Sequence, residues 1–277
     1  MIPILVAFGV LALVGVVLGL MLAVASKAFH VETDPRIDQI KECLPGANCG
    51  GCGFPGCGGY AEAVAKGEAP VNACNAAGKE GADKIAAIMG VASADVTKMY
   101  ARVSCSGAHG KAKPKYQYEG LEDCRAAIRV GGGDKICPNG CVGHGTCVSV
   151  CRFDAIHVID GVAVVDKEKC AGCGVCVAAC PKGIIELVPF EANYFVGCKS
   201  YDKGTVTRSY CTVGCIGCKI CEKNCPTSAI RVENGLASID YSLCTGCGVC
   251  YEKCPRHIII KAKKDEAPAK SEETVGV

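Results

Sequence analysis

The sequence predicts an α+β protein in which an N-terminal apolar helix precedes several small, cysteine-rich units. Three observations support this prediction. Residues 4–25 contain no charged side chain. The chain has 25 cysteines among 277 residues, and most of them stand in short runs such as C-x2-C-x2-C-x3-C. Short β patterns lie between paired runs, and each is centred on Asp-Gly or Asn-Gly, the dipeptides that favour two-residue hairpin turns.

The N-terminal run predicts a membrane anchor. Residues 4–25 would form a helix about 33 Å long, enough to cross the hydrocarbon core of a bilayer. A cleaved signal peptide is the alternative, but no Lys or Arg precedes the run. Lys27 follows it, which favours a single-pass protein of the cytoplasmic membrane with the bulk of the chain on the cytoplasmic side. A span without ionisable side chains cannot conduct ions, so any ion transport would belong to partner subunits.

The cysteine spacing predicts iron–sulfur clusters rather than disulfides. Disulfide frameworks do not gather cysteines in C-x2-C runs, whereas metal and cluster sites do. Cluster thiolates need a reducing compartment, in agreement with the cytoplasmic side. The formal net charge of +2 counts every cysteine as neutral. Because an oxidised [4Fe-4S] cluster with four thiolates carries roughly −2, five such clusters would bring the loaded protein to about −8.

The first cysteine group follows the spacing C-x2-C-x4-C-x16-C, with the core Asn-Cys-Gly-Gly-Cys-Gly-Phe-Pro-Gly-Cys. The pattern resembles the single-cluster 4Fe-4S domain family, and a structural zinc site with the same ligands is the alternative. Alanine-rich residues 61–66 and 79–89 predict helices that stop at Gly67 and Gly90. Cluster 1 is therefore assigned to Cys49, Cys52, Cys57 and Cys74.

The middle of the chain, residues 93–136, is predicted to be a connecting segment. Residues 107–120 are basic and contain two tyrosines, but their charges are too few for a nucleic-acid-binding stripe. The glycines at 131–133 lack the spacing of a dinucleotide-binding loop. We expect no nucleic acid partner, no catalytic residue and no complete active site in this chain alone.

Residues 137–261 contain two copies of one unit. A shift of 74 positions maps six cysteines of the first copy onto six of the second, for example Cys147 onto Cys221 and Cys180 onto Cys254. Residues 156–165 and 230–239 predict a hairpin in each copy. Each copy thus has the order of a bacterial two-cluster ferredoxin: cluster loop, short helix, hairpin, cluster loop, short helix.

The ligand sets follow from a crossover rule. In a run C-x2-C-x2-C-x3-C-P, the first three cysteines hold one cluster and the fourth reaches across to the other. The rule assigns cluster 3 to Cys151, Cys170, Cys173 and Cys176, cluster 4 to Cys215, Cys218, Cys221 and Cys254, and cluster 5 to Cys225, Cys244, Cys247 and Cys250.

The remaining set departs from the pattern, because His144 stands where the second copy has Cys218. We choose Cys137 to compensate, and the alternative is that His144 is itself a ligand, which would raise the reduction potential. Cluster 2 is assigned to Cys137, Cys141, Cys147 and Cys180.

Five cysteines stay outside these sets: Cys43, Cys105, Cys124, Cys198 and Cys211. Four of them could hold a sixth cluster. The repeat places Cys124 and Cys198 at equivalent positions, which favours structural thiols left over from the duplication. Iron in the five sets is the metal that we expect, as [4Fe-4S] clusters.

The predicted domains are a transmembrane anchor (1–29), a single-cluster 4Fe-4S domain (30–92), a connecting segment (93–136), a first two-cluster ferredoxin-like module (137–190), a second connecting segment (191–214), a second two-cluster module (215–261) and a disordered tail (262–277).

This order of parts, over roughly residues 1–260, resembles the B subunit of the Rnf complex in its long, cluster-rich form. The resemblance implies a subunit of an ion-translocating (Na+ or H+) ferredoxin:NAD+ oxidoreductase that takes electrons from reduced ferredoxin and passes them to membrane partners. Basic residues beside the cysteine runs would offset cluster charge or steer an acidic carrier such as soluble ferredoxin: Lys167, Lys169, Lys182, Lys219, Lys223, Lys253 and Arg256.

Three other functions stay open at this point. The first is a membrane-tethered reductase of an iron–sulfur transcription regulator, a role that has been given to a related branch of the family. The domain of cluster 1 also occurs in corrinoid-protein systems, so a corrinoid reductase is the second alternative. The third is a metal-binding scaffold without redox function.

Overall fold

The computed structural model describes residues 2–28, 34–92 and 95–262. It is an α+β protein built from small units, in which short helices carry the cysteine loops and strands pair two by two. The predicted tail lies outside the described residues, apart from Ala262, whose N–H donates to the Asn193 carbonyl oxygen at 2.7 Å.

The first helix, α1, covers Ile2–Ala28, which confirms a helix at the N-terminal apolar run. Its side chains are described at residues 9–25 and 27, and those from residue 9 to residue 24 are exposed. Where side chains are described, no helix has both the length and the hydropathy that a membrane span requires.

The single-cluster domain has three α-helices: α2 Pro35–Glu42, α3 Cys57–Ala65 and α4 Gly78–Met89. Both predicted helices are present. Gly90 ends α4 in the left-handed conformation, which glycine adopts readily because it has no Cβ atom. Helix α2 begins at a cap, since the Asp34 carboxylate accepts the Arg36 N–H at 2.9 Å. A core that includes Ile40, Tyr60 and Ile85 joins the three helices.

The first module comprises β1 Met99–Val103, α5 Cys124–Arg129, α6 Thr146–Ser149, β2 Ile156–Ile159, β3 Val162–Val165, α7 Val175–Ala179 and β4 Ile185–Pro189. The second comprises β5 Tyr194–Val196, α8 Gly204–Tyr210, α9 Ile220–Lys223, β6 Ile230–Glu233, β7 Leu236–Ile239, α10 Val249–Lys253 and β8 Ile259–Lys261. Each module therefore has two antiparallel strand pairs and two short cluster helices.

The hairpin predictions are confirmed in both modules. Strand β2 pairs with β3, and β6 pairs with β7, both antiparallel. Asp160 and Gly161 have φ values of 48° and 72°, and Asn234 and Gly235 have 49° and 80°. Positive φ at both central residues is what a type I′ turn needs, and Asn, Asp and Gly tolerate it best.

Two further strand pairs were not predicted. Strand β1 lies in the segment expected to connect two domains, yet it pairs with β4 at the end of the first module. Strand β5 pairs in the same way with β8 at the end of the second. These strands are short, and their partners lie more than sixty residues away. No local pattern can therefore reveal the pairing.

Each module packs its hairpin against its cysteine loops. The first core contains Ile156, Val162 and Ile185 together with Cys141 and Cys147. The second contains the corresponding Ile230, Leu236 and Ile259 with cysteines of set 4, the predicted ligands of cluster 4. Apolar side chains thus surround the sulfur atoms that the sequence assigns to clusters.

Candidate metal centres and the family of the chain

The cysteines predicted for clusters 4 and 5 surround two cavities in the second module. We call the predicted ligands of each cluster a set, numbered as the clusters. All four cysteines of set 4 line one cavity, and all four of set 5 line another. The space between the lining residues is about 340 Å³ in each. The structure therefore brings together both groups of cysteines that the crossover rule paired.

The crossover follows from two short helices. Cys221 lies in α9 and Cys225 follows it, but Cys221 lines the cavity of set 4 and Cys225 that of set 5. Cys250 and Cys254 do the same at α10. Because the last cysteine of each run lies beyond the end of its helix, it points to the neighbouring cavity.

The four cysteines of set 3 also lie close to one another around α7. Burial raises the pKa of Cys176 to about 12, and the nearby Cys170, Cys173 and Cys151 thiols add to the shift. Two backbone N–H groups donate to sulfur atoms of this set: Ala101 to Cys170 Sγ at 3.3 Å and Ala155 to Cys151 Sγ at 3.5 Å. Such donors stabilise the negative charge of a thiolate.

Set 1 is organised around the start of α3. The Cys57 N–H donates to Asn48 Oδ1 at 2.8 Å, which fixes the glycine-rich loop that carries Cys49 and Cys52. Burial raises the pKa of Cys74, and Cys52 and Cys49 contribute to the shift, so the set converges.

Set 1 also contacts set 3. A Cβ atom on Gly51 would overlap the Cys173 carbonyl oxygen, and it would lie 3.1 Å from Cys173 Cβ. The Cys49 thiol also contributes to a raised pKa at Cys173, after burial as the main cause. The loop of the single-cluster domain therefore lies directly on a ligand loop of the first module.

Three of the four cysteines predicted for set 2 come together, and the fourth lies elsewhere. Burial raises the pKa of Cys147 to about 12, and the cysteines that add to it begin with Cys141, Cys124 and Cys180. Cys137 lies instead in a third cavity, whose other cysteines are Cys105, Cys198 and Cys211.

The spacing of the cysteine runs leaves Cys124 and three members of this third group outside every predicted set: Cys105, Cys198 and Cys211. One sequence signal could have revealed that these cysteines correspond. Cys105 follows β1 and Cys198 follows β5, and the two cysteines are 93 positions apart. The 74-residue repeat hides it, because it relates Cys124 to Cys198.

His144, the alternative ligand of cluster 2, faces carboxylates. Its Nδ1 atom lies 3.3 Å from Glu122 Oε2 and its Nε2 atom 3.3 Å from Asp134 Oδ2. Its ring also packs on Tyr118, with the ring centroids 4.8 Å apart. Both ring nitrogens are thus turned to acidic side chains and not to the sulfur atoms of the set.

The basic residues beside the cysteine runs differ in their contacts. Lys182 Nζ donates to the Pro138 carbonyl oxygen at 2.7 Å, and Arg256 Nη2 donates to the Cys211 carbonyl oxygen at 2.8 Å. Lys219 and Lys223 are exposed next to Cys218, which is exposed as well. Two of these cations therefore hold loops, and others lie at the surface beside a cluster ligand.

These cavities fit [4Fe-4S] clusters by the chemistry of their donors. Thiolates are the ligands of such clusters, and burial raises the pKa of Cys141 to about 11 and of Cys221 to about 12. The bare thiols would stay protonated near neutral pH, and cations such as iron would favour the thiolate form. Within the described residues, no three or more His, Cys, Asp or Glu side chains converge as they would on one metal ion. A four-iron cube takes one thiolate per iron, so its ligands surround it.

Three family models match the chain. A family described as "Putative Fe-S cluster" matches residues 44–76, one described as "4Fe-4S binding domain" matches residues 163–186, and one described as "4Fe-4S dicluster domain" matches residues 214–259. The matched regions contain the cysteines of set 1, part of the first module, and the part of the second module that carries sets 4 and 5. The chain therefore contains 4Fe-4S domains.

Three curated relatives, each the B subunit of its complex, are similar over most of the chain. That of the Na(+)-translocating ferredoxin:NAD(+) oxidoreductase complex of Acetobacterium woodii is 46% identical over 87% of this chain and 73% of its own length. The B subunit of the ion-translocating oxidoreductase complex of Methanosarcina acetivorans is 44% identical over 86% of this chain and 90% of its own length. The B subunit of the proton-translocating ferredoxin:NAD(+) oxidoreductase complex of Clostridium ljungdahlii is 41% identical over 85% of this chain and 84% of its own length. With this similarity, and with two cysteine-lined cavities where the 4Fe-4S dicluster domain matches, the chain belongs to the family of B subunits of ion-translocating oxidoreductase complexes.

Proposed function

We propose that this chain accepts electrons from reduced ferredoxin and relays them to membrane partners within an ion-translocating ferredoxin:NAD+ oxidoreductase complex that moves Na+ or H+. The observation that supports it best is that neighbouring cysteine sets lie next to one another. [4Fe-4S] clusters take up and release single electrons, so that one partner is oxidised as the other is reduced. The names of the relatives supply the type of complex.

The order of the sets supports a path along the protein. Cys49 of set 1 lies near Cys173 of set 3, and Cys176 of set 3 lies near Cys147 of set 2. In the second module, sets 4 and 5 share α9 and α10. The apolar side chains around these sulfur atoms keep water away from the interior of each module.

An electron donor would dock on the second module. Cys218 of set 4 and Cys247 of set 5 are exposed, and Lys219, Lys223 and Lys253 are exposed near them. Cations at that surface would attract an acidic carrier such as soluble ferredoxin and orient it toward a ligand of a cluster.

The other end of the path would face the membrane. Set 1 belongs to the domain that follows α1, and the described side chains of α1 are apolar and exposed from Gly9 to Val24. An exposed apolar helix of this kind needs an apolar environment. We place it in the cytoplasmic membrane as a single-pass anchor beside other subunits, with the bulk of the chain on the cytoplasmic side.

The test is anaerobic purification of the full chain, iron and sulfide analysis, and titration with reduced ferredoxin. We expect about four irons per set and rapid bleaching of the clusters. The double variant Lys219→Glu/Lys223→Glu should slow the second-order reduction about tenfold at low ionic strength, and added salt should shrink the difference. Lys66→Glu, at an exposed lysine of the single-cluster domain, is the matched control. Zinc in place of iron, or clusters that ferredoxin cannot reduce, would contradict the proposal.

A further inference from the structure

The third cysteine-lined cavity lies between the two modules. Its cysteines are Cys105, Cys137, Cys198 and Cys211, two from each module. Its space is about 390 Å³, close to the 340 Å³ of the cavities of sets 4 and 5. We propose that these four cysteines hold an additional [4Fe-4S] cluster, the sixth, which bridges the modules.

The two halves of this site have the same construction. The Gly107 N–H donates to Cys105 Sγ at 3.4 Å, and the Ser200 N–H donates to Cys198 Sγ at 3.5 Å. Each sulfur also receives a second N–H, at 3.4 Å, from a cysteine of a neighbouring set: Cys141 for Cys105 and Cys215 for Cys198. Four backbone N–H groups thus point at two sulfur atoms, an arrangement that hydrogen-bonds the sulfur ligands of iron–sulfur clusters.

The loops that carry Cys137 and Cys211 also correspond. Both read Cys-x-x-Gly-Cys, and a Cβ on either glycine would lie 3.6 Å from the sulfur of the first cysteine. Each loop is held by a cation that follows the last Cys-Pro of its own module. Lys182 donates to the Pro138 carbonyl oxygen, and Arg256 donates to the Cys211 carbonyl oxygen. Two duplicated loops thus converge on one shared site.

The modules are in direct contact around this site. The Arg102 guanidinium of the first module lies over the Phe195 ring of the second, 2.9 Å from the ring centroid. The Thr212 N–H donates to the Lys111 carbonyl oxygen at 2.9 Å. A cluster here would therefore lie inside an interface that the protein itself forms.

A second assignment follows from the first. If Cys137 serves the bridging site, set 2 needs another fourth ligand. Cys124 fits, because it is buried at the start of α5 and contributes to the raised pKa of Cys147. Its N–H donates to Thr146 Oγ1 at 2.7 Å, which ties it to the helix that carries Cys147. Cys124 would take the place of the cysteine that His144 replaces in the repeat.

The two assignments together use all but one of the 25 cysteines. The remaining one is Cys43, which follows the last residue of α2 and whose Sγ donates to the Gln39 carbonyl oxygen at 3.3 Å. The bridging site also lies between set 2 and set 4, since Cys141 and Cys215 contact its sulfur atoms. It would join the clusters of the two modules into one path, and this role rests on the proposed electron transfer. Each passage adds one electron from one neighbour and returns one to the next, and no bond or proton changes.

The test is iron and sulfide content per full-length chain, purified anaerobically. The unaltered protein should contain about 24 irons, six clusters of four. Cys198→Ser and Cys211→Ser should each lose about four irons, and Cys43→Ser should lose none. A loss of many more irons would report misfolding, so far-UV circular dichroism accompanies each variant, and alkylation of the unaltered protein provides a measurement without any variant.

Double variants decide which cysteines share a cluster. Cys137→Ser/Cys211→Ser should lose only about four irons, because both residues serve one cluster, whereas Cys124→Ser/Cys211→Ser should lose about eight. The reverse pattern would return Cys137 to set 2 and overturn the assignment. Brief alkylation of the native, loaded protein followed by mass spectrometry should modify Cys43 and leave Cys105 protected. The sixth cluster would be refuted by an iron content of about 20 per chain, by no loss of iron in Cys211→Ser and by alkylation of Cys105. If ferredoxin still reduced the clusters rapidly in that case, the proposed function would stand without the bridging site.

Discussion

Gly51 is the residue at which a small change should separate two cluster sites. It lies in the cysteine loop of the single-cluster domain and faces the backbone of Cys173. A Cβ at this position would overlap the Cys173 carbonyl oxygen and lie 3.0 Å from the carbonyl carbon. Because the two nearest atoms belong to the backbone and the third is Cys173 Cβ, no side-chain rotation can relieve the contact.

The size of the effect follows from these distances. Carbon atoms in ordinary contact are about 3.5–4.0 Å apart, so in Gly51→Ala the two loops must separate by roughly an ångström. Forced overpacking of this kind costs about 1–3 kcal/mol. The cost falls on the contact between the domain and the first module and not on the iron ligands. We therefore expect an unchanged iron content and slower electron transfer to cluster 1.

The assay is stopped-flow reduction by ferredoxin, with the bleaching separated into phases. Gly51→Ala should show a slow phase that corresponds to one cluster, and its melting temperature should fall by several degrees. Gly58→Ala is the control, because its Cβ would meet only Lys41 Cε, at 3.8 Å. If Gly51→Ala had the kinetics and stability of the control, the contact between these two loops would not be part of the path.

Four further predictions concern stability. Gly235→Ala places a side chain at φ 80° and should cost about 1 kcal/mol in chemical denaturation, with the hairpin retained. Arg102→Ala removes the cation over Phe195 and should cost about 2 kcal/mol or more, measured in the same way, because the pair is desolvated. The Asp123 carboxylate caps α5 by accepting the N–H groups of Arg125 and Ala126. Asp123→Ala removes this cap and should lower both the melting temperature and the affinity for the iron of set 2. Burial raises the pKa of Tyr60 from its ordinary value of about 10 to about 12. The stability that the neutral phenol contributes to the folded state is therefore complete below about pH 10 and is lost as the pH rises toward about 12. In Tyr60→Phe the free energy of unfolding should fall less steeply over this pH range.

Much of this protein was determined by local sequence. The cysteine runs, the Asp-Gly and Asn-Gly hairpins and the helices stopped by glycine are short-range features, and the structure contains the predicted hairpins and helices. Sets 4 and 5 could be paired from spacing alone because α9 and α10 hold their cysteines at fixed offsets. The family resemblance depended on the same local motifs and on their order.

Only the tertiary structure decided what Cys105, Cys124 and Cys137 lie next to. A cysteine in a run has partners at fixed sequence distances, but Cys105 and Cys211 meet only after β1 and β5 join the ends of their modules and the modules pack together. That meeting depends on strand pairing over long separations and on an interface between duplicated units. Spacing within a run carries no information about either, so the bridging site could be recognised only in the folded chain.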